Sequence, residues 1–187
     1  MAAAQSFKFE LTHPAGATAL PGGLFLTRAE GAALAPDRLS LRAEANLGRV
    51  FVKVDAVVIG ADTYMTNFLT GAWAKVPAAD SPFAFLDVPG LVSSLLGEVV
   101  SPTIAAESQA GADIVVTGQL PARPLAALVG TVDESKTANV RLTLDKETFR
   151  LKEVLIEGPI QQGEGENASR LIKFSGYGET TSIVPPL

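Results

Sequence analysis

Apolar and polar residues alternate along much of this chain, most clearly between Leu39 and Val76. From Leu39 through Leu41, Ala43, Ala45 and Leu47 every second side chain is apolar, with Ser40, Arg42, Glu44 and Asn46 between them. Successive side chains on a strand point to opposite faces, so this pattern predicts one half-buried strand. Gly48-Arg49 interrupts it, and Val50 to Ile59 resumes the alternation. Two residues are enough for a tight hairpin, so the two strands are predicted to pair directly. Gly60-Ala61-Asp62 supplies turn chemistry, Thr63 to Asn67 is a short β-rich run, and a turn at Thr70-Gly71 leads to Ala72–Val76, closed by Pro77. Four strands joined by short turns predict an antiparallel meander with one dry face and one wet face.

The flanking segments extend the sheet. Ser6 to Thr12 alternates cleanly and places Phe7, Phe9 and Leu11 on the inward face of an opening strand. His13-Pro14-Ala15-Gly16 and Pro21-Gly22-Gly23 bracket a loop, Leu24 to Arg28 is a strand candidate, and Ala35-Pro36-Asp37 turns into the meander. The texture changes at Asp87. Leu91, Val92, Leu95, Leu96 and Val99 recur at helical spacing, with Asp87 placed to cap and Pro89 in the first turn. Val100 to Glu107 has no firm period, Ile114 to Gly118 reads as a short strand, and Pro121 to Gly130 as a second short helix stopped by its glycine. Asn139–Leu144 and Phe149–Glu157 then form a hairpin about Asp145–Thr148, with a phase slip near Glu153 that predicts a bulge. Gln161 to Ser169 is expected to be a mobile polar loop, and Leu171–Tyr177 and Thr180–Val184 to finish the sheet. The expectation is nine or ten strands with two helices inserted between residues 87 and 130, in a single domain spanning 1–187. That order is α+β and not βαβ.

Composition sharpens this picture in one respect. Hydrophobic residues make up 47% of the 187 but aromatics only 6%, so the interior must be mostly Ala, Val and Leu. A single sheet of this size curls, and its concave face has to be filled or covered. Two short helices and small side chains are meagre filling, so a hollow apolar half-barrel and a solid core both satisfy the sequence. A net charge of −5 without a basic cluster argues against a nucleic-acid surface and leaves no polybasic patch for anionic headgroups. The absence of cysteine excludes disulfides and thiolate metal sites. No apolar run approaches the roughly 20 residues of a membrane-spanning helix.

Candidate chemistry is sparse. His13 is the only histidine and is expected to be an exposed loop residue, with no partner for a metal and no Gly-x-Ser-x-Gly elbow to serve. Glu164 and Glu166 read as solvated loop charges. Gly163-Glu164-Gly165 and Gly176-Tyr177-Gly178 precede no helix start, so neither is a phosphate loop. Tyr64 and Trp73 suit either a ligand mouth or ordinary sheet packing. No catalytic cluster and no cofactor is implied.

Several pieces taken in order resemble a known family. Ser6-Phe7-Lys8-Phe9-Glu10-Leu11 is similar to the first strand of the LppX/LprG family of envelope lipoproteins, within the wider LolA-like half-barrel group. Val57-Val58-Ile59-Gly60-Ala61-Asp62-Thr63-Tyr64 resembles the family's central strand-turn-strand, and Gly71-Ala72-Trp73 its next turn. Phe174 to Glu179 with Ile183-Val184-Pro185-Pro186 is similar to its terminal strands. The resemblance implies a curved antiparallel sheet with short helices over its concave face, enclosing a cavity for acyl chains. It also implies an exported, non-enzymatic envelope lipoprotein that carries a lipid or acylated glycolipid, with a membrane anchor on an N-terminal cysteine and an envelope transporter as partner. The family's acylated cysteine and leading helix are not found in Met1 to Gln5, which fits a truncated soluble form with a wider mouth or a covering second chain. The residues expected to line the cavity are Leu39, Leu41, Val52, Val54, Val58 and Met65 on the sheet, with Tyr64 and Trp73 at the mouth. Leu91, Leu95, Leu125 and Leu128 would face them from the helices. A protein-interaction or sensor module on the same fold is the alternative.

Overall fold

The alternating runs find partners in sequence order. A computed structural model of the chain describes residues 5–77, 81–83, 97–109 and 111–186. Among these, twelve strands form one antiparallel sheet. They are β1 (Ser6–Ala15), β2 (Thr18–Leu20), β3 (Leu24–Leu34), β4 (Arg38–Leu47), β5 (Val50–Ile59), β6 (Asp62–Thr66), β7 (Trp73–Val76), β8 (Val100–Ile104), β9 (Asp113–Pro121), β10 (Thr137–Asp145), β11 (Leu151–Glu157) and β12 (Ser169–Ser175). Their order across the sheet is β7-β6-β5-β4-β3-β1-β12-β11-β10-β9-β8, with β2 paired to the start of β3. The result is a curved half-barrel built from two meanders, joined where β1 meets β12.

The predicted β4–β5 hairpin is present over its full length, from Leu47 opposite Val50 to Arg38 opposite Ile59. Register then assigns the faces. Phe9 lies opposite Gly31 and Phe174, Gly31 opposite Leu41, and Leu41 opposite Ala56, so these share the inner face. Glu10, Glu30, Arg42 and Asp55 form the adjoining outer row. Ion pairs Arg28–Glu10, Arg28–Glu30, Arg42–Asp55 and Lys53–Glu44 run along that outer face. Each exposed pair of this kind contributes little to stability but keeps the wet side wet.

Gly31 explains how the inner face closes at its centre. A β-carbon there would run into the Ser40 carbonyl oxygen and sit 3.0 Å from Phe9 Cζ. The Phe9 ring occupies the volume that a side chain at position 31 would need. The expected bulge is also found, since Thr143 pairs with Glu153 while Leu144 pairs with Leu151.

Between residues 87 and 130 the described residues hold strands as well as a helix. β8 and β9 are strands of the sheet, and the described helix is one short element, α1 (Ala126–Val129), preceded by a 3₁₀ turn over Arg123–Leu125. Gly130 ends it with φ 79°, a conformation that glycine adopts without steric cost. The expected first helix lies almost wholly outside the described residues. β2 was missed because three residues are too few to show alternation. Thr180–Val184 is no strand; this tail is held instead by Arg38 Nη1 donating to the Ile183 carbonyl at 2.8 Å, with the Ile183 side chain buried.

Candidate functional site

The inner face divides into two unlike halves. From β9 to β12 the chain's own side chains fill most of it, with Val116 and Leu144 left partly buried at the β9–β10 side. Leu120, Leu125, Val129, Leu151, Val154, Ile156 and Ile160 are all fully buried, so α1 and its 3₁₀ turn act as a plug. Interiors packed this way hold few voids larger than a water molecule. Across β4, β5 and β6 the burial is looser. Leu39, Leu41 and Val52 are buried, whereas Val54, Val58 and Met65 are only partly so while packing against the same core.

The sheet residues expected at the cavity thus split into two groups. Leu39, Leu41, Val52, Val54, Val58 and Met65 share the inner face, because Leu39 lies opposite Val58, Ala43 opposite Val54, Ala45 opposite Val52 and Ala56 opposite Met65. Leu125 and Leu128 join the same core from the helical turn. Leu91 and Leu95 lie outside the described residues. Tyr64 and Trp73 are displaced from this set. Tyr64 neighbours Met65 on the strand and pairs with Val57, and Trp73 pairs with Thr66, which puts both aromatics on the outer face. The period of two that sends Met65 inward sends its neighbour outward.

Polar groups gather at one end of the inner face, where a charge would be least expected. Arg170 has 1% exposed side chain and Glu164 has 9%, and the two form an ion pair. Arg170 Nε donates to Thr18 Oγ1 at 3.0 Å. Thr18 Oγ1 is 2.9 Å from His13 Nε2, and His13 Nδ1 is 2.9 Å from the Thr27 carbonyl. Since a carbonyl only accepts, Nδ1 carries the proton and Nε2 accepts from the threonine hydroxyl. Glu164 Oε2 in turn accepts from the backbone N–H groups of Ile160 and Gln161, at 2.7 and 3.0 Å. Arg170 Nη1 is buried without a hydrogen-bond partner.

His13 is therefore a half-buried member of β1 and not an exposed loop residue, and Glu164 is a buried counterion and not a solvated charge. Nor is the loop of residues 161–169 held only by its ends. Gln161 clamps it to β2 through both backbone groups of Ala19, at 2.8 and 2.9 Å, and to the Thr131 carbonyl at 3.0 Å. Burial lowers the His13 pKa, against the Thr27 hydrogen bond that raises it. Burial also lowers that of Arg170, against the pull of Glu164. Elsewhere in the core the Tyr177 phenol is pushed up to about 12 by burial and donates to the Leu151 carbonyl at 2.6 Å.

The chemistry of this set is structural. Among the described residues there is no group of three His, Asp or Glu placed to hold a metal. A cleft of about 690 Å³ opens on the outer face among Lys8, Glu10, Glu30, Lys152, Glu153 and Lys173. It mixes charges of both signs, with Phe9 and Phe174 also in its lining. No helix among the described residues is long and apolar enough to cross a membrane.

An open antiparallel half-barrel with a short helical plug at one end is the class this geometry defines. No family model matches the sequence, and no curated protein matches it significantly. Solved structures do match it. The structure is similar to that of LprF from Mycobacterium bovis, with a TM-score of 0.65 and 17% identity over 97% of this chain and 89% of that one. It is also similar to the Mycobacterium tuberculosis lipoprotein LppX, with a TM-score of 0.59 and 15% identity over 96% of this chain and 90% of that one. The chain has the fold of these proteins, and the resemblance read in its strands holds at the level of fold.

Proposed function

We propose that this protein binds and carries a lipid, or another long apolar molecule, against the inner face of β4, β5 and β6. It acts in a cell envelope and performs no chemistry on its cargo. The observation that carries this function is the asymmetry of the inner face. The half beneath α1 is largely filled by fully buried side chains, while Val54, Val58 and Met65 keep apolar surface partly open on the other. An acyl chain laid there gains about 0.8 kcal/mol for each methylene removed from water. The likeness in fold to LppX, a lipoprotein, supports the same reading. Val54 and Met65 would contact the chain directly, and Leu39 and Leu41 would back them.

Val54→Trp tests it. In a close-packed core the added ring has nowhere to go, and overpacking costs about 1–3 kcal/mol. In a binding groove the indole replaces acyl chain, so the variant should melt near the parent temperature and take up much less of a fluorescent fatty acyl probe. A variant that unfolds, or one that takes up probe like the parent, removes Val54 from the site. A parent protein that takes up no probe and carries no lipid in native mass spectrometry removes the function.

A further inference from the structure

Three turns of the first meander face the same end of the sheet, and their most prominent side chains are apolar. Leu24 lies opposite Leu47, which lies opposite Val50, and in the next row Phe25, Asn46 and Phe51 are opposite one another on the outer face. With strands spaced about 4.8 Å, Phe25 and Phe51 stand about 10 Å apart. β6 runs from Asp62 opposite Ile59 towards this end, and with Thr66 level with Asp55 the β6–β7 turn sets Phe68 and Leu69 beside β5 a few residues short of Val50. Val50 is 56% exposed, Phe51 53% and Leu69 79%. Single exposed hydrophobics are ordinary, but contributions from three separate turns at one corner mark an interaction surface.

The charge at this corner decides what it fits. The chain carries 20 acidic against 15 basic residues, yet no Asp or Glu occurs in residues 19–27, 45–54 or 67–76. Arg49 is exposed at the β4–β5 turn, and Lys53 Nζ lies 5.5 Å from the Phe51 ring centroid. The nearest acid on these strands, Glu44, is one row further in and pairs with Lys53 at 2.8 Å. At the same end, beyond β2, the turns carry Asp133, Glu134 and Glu166, which fixes the side of the corner that stays in water. Apolar rings at the tip with cationic stems beside them and acids withheld are the arrangement of a surface that enters a bilayer interface.

We infer that the corner formed by the β2–β3, β4–β5 and β6–β7 turns is a membrane-docking surface. Phe51, Val50, Leu69 and Phe25 enter the interface, and Arg49 and Lys53 meet lipid phosphates. No basic run is needed, because apolar insertion supplies most of the attraction and the two cations bias it towards anionic lipid. The inference does not rest on a lipid held at the inner face; it concerns the outside of the same molecule.

Vesicle flotation tests it on the 187-residue chain. The parent should float with vesicles of equal parts phosphatidylglycerol and phosphatidylcholine, and more weakly with phosphatidylcholine alone. Val50→Ser/Phe51→Ser should lower partitioning by about tenfold or more, since both side chains leave water on docking. Arg49→Glu should lower it only on the phosphatidylglycerol vesicles. Phe149→Ser, at an exposed site on the opposite end of the sheet, should change nothing. If the double variant melts abnormally, Leu69→Ser, in a turn outside the strands, takes its place. Three results overturn the inference: a parent that stays out of the floated fraction with both vesicles, equal loss in Phe149→Ser, or a parent that is dimeric without lipid and made monomeric by Val50→Ser/Phe51→Ser. Uptake of a soluble acyl probe, measured on the same preparations, separates the two functions. A parent that floats but takes up no probe leaves the docking corner standing and removes the inner-face cargo.

Discussion

A guanidinium taken out of water needs a counterion and hydrogen-bond acceptors around it, and Arg170 finds most of what it needs in Glu164 and Thr18. Removing one member of such a pair leaves the other buried and uncompensated. Arg170→Met should therefore cost about 3–5 kcal/mol in urea unfolding, and Arg170→Met/Glu164→Gln distinctly less than the sum of the two single changes. Equal additivity would show that the pair does not act as a unit. His13, in the same network, makes stability depend on pH. Its folded pKa lies below the ordinary 6.5, chiefly because burial disfavours the charged imidazole. The unfolded chain then binds the extra proton more readily, so this contribution is complete above about pH 6.5 and is lost as the pH falls from there through the lower folded value. Arg170 and Glu164 are the charges that face it. Melting temperature should fall between about pH 7 and 5, and His13→Gln should flatten that slope; an unchanged slope would take His13 out of the account. A charge inside the half-barrel was legible in one respect: Arg170 keeps the parity of Ile172 and Phe174, which are inward. Its partner was not, because Glu164 comes from a loop whose fold is set by hydrogen bonds to distant backbone.

At the scale of elements, the hairpins were the readable part. β4 and β5 show clean alternation and a two-residue turn, and the fold keeps both to the residue. β3 was read only as far as Arg28, because Gly31 and its alanine neighbours carry almost no hydrophobic contrast. The reason for the glycine lies across the sheet, in the Phe9 ring and the Ser40 carbonyl, and is invisible in the local sequence. Gly31→Ala should cost about 1–3 kcal/mol by denaturant unfolding, as expected of overpacking against backbone. A neutral outcome would mean that β3 and β4 can shift apart without loss. β8 was left undecided for another reason: all five of its residues are exposed at the sheet edge, so no face is dry enough to impose a period. Tyr64 and Trp73 suit a ligand mouth or sheet packing by their chemistry, and the period that sends Met65 inward puts Tyr64 on the outer face.

The whole molecule has its first and last strands side by side in the middle of the sheet, with Phe9 opposite Phe174 and Leu11 opposite Ile172. Most other pairings join strands that are neighbours in the sequence, so each meander can form from local contacts. The central seam cannot. It requires segments almost a whole chain length apart to meet, and such contacts form slowly because closing the loop costs entropy before any packing rewards it. On a ribosome, β12 also emerges after every other strand of the sheet. Refolding should therefore pass through two meanders that are ordered before they are joined, with amides of β4 and β5 protected against exchange earlier than those of β1 and β12. Simultaneous protection would show one concerted collapse. Until that seam closes, β1 and β12 are each an unpaired edge of their meander, and for that interval the nascent protein depends on being kept apart from other copies of itself.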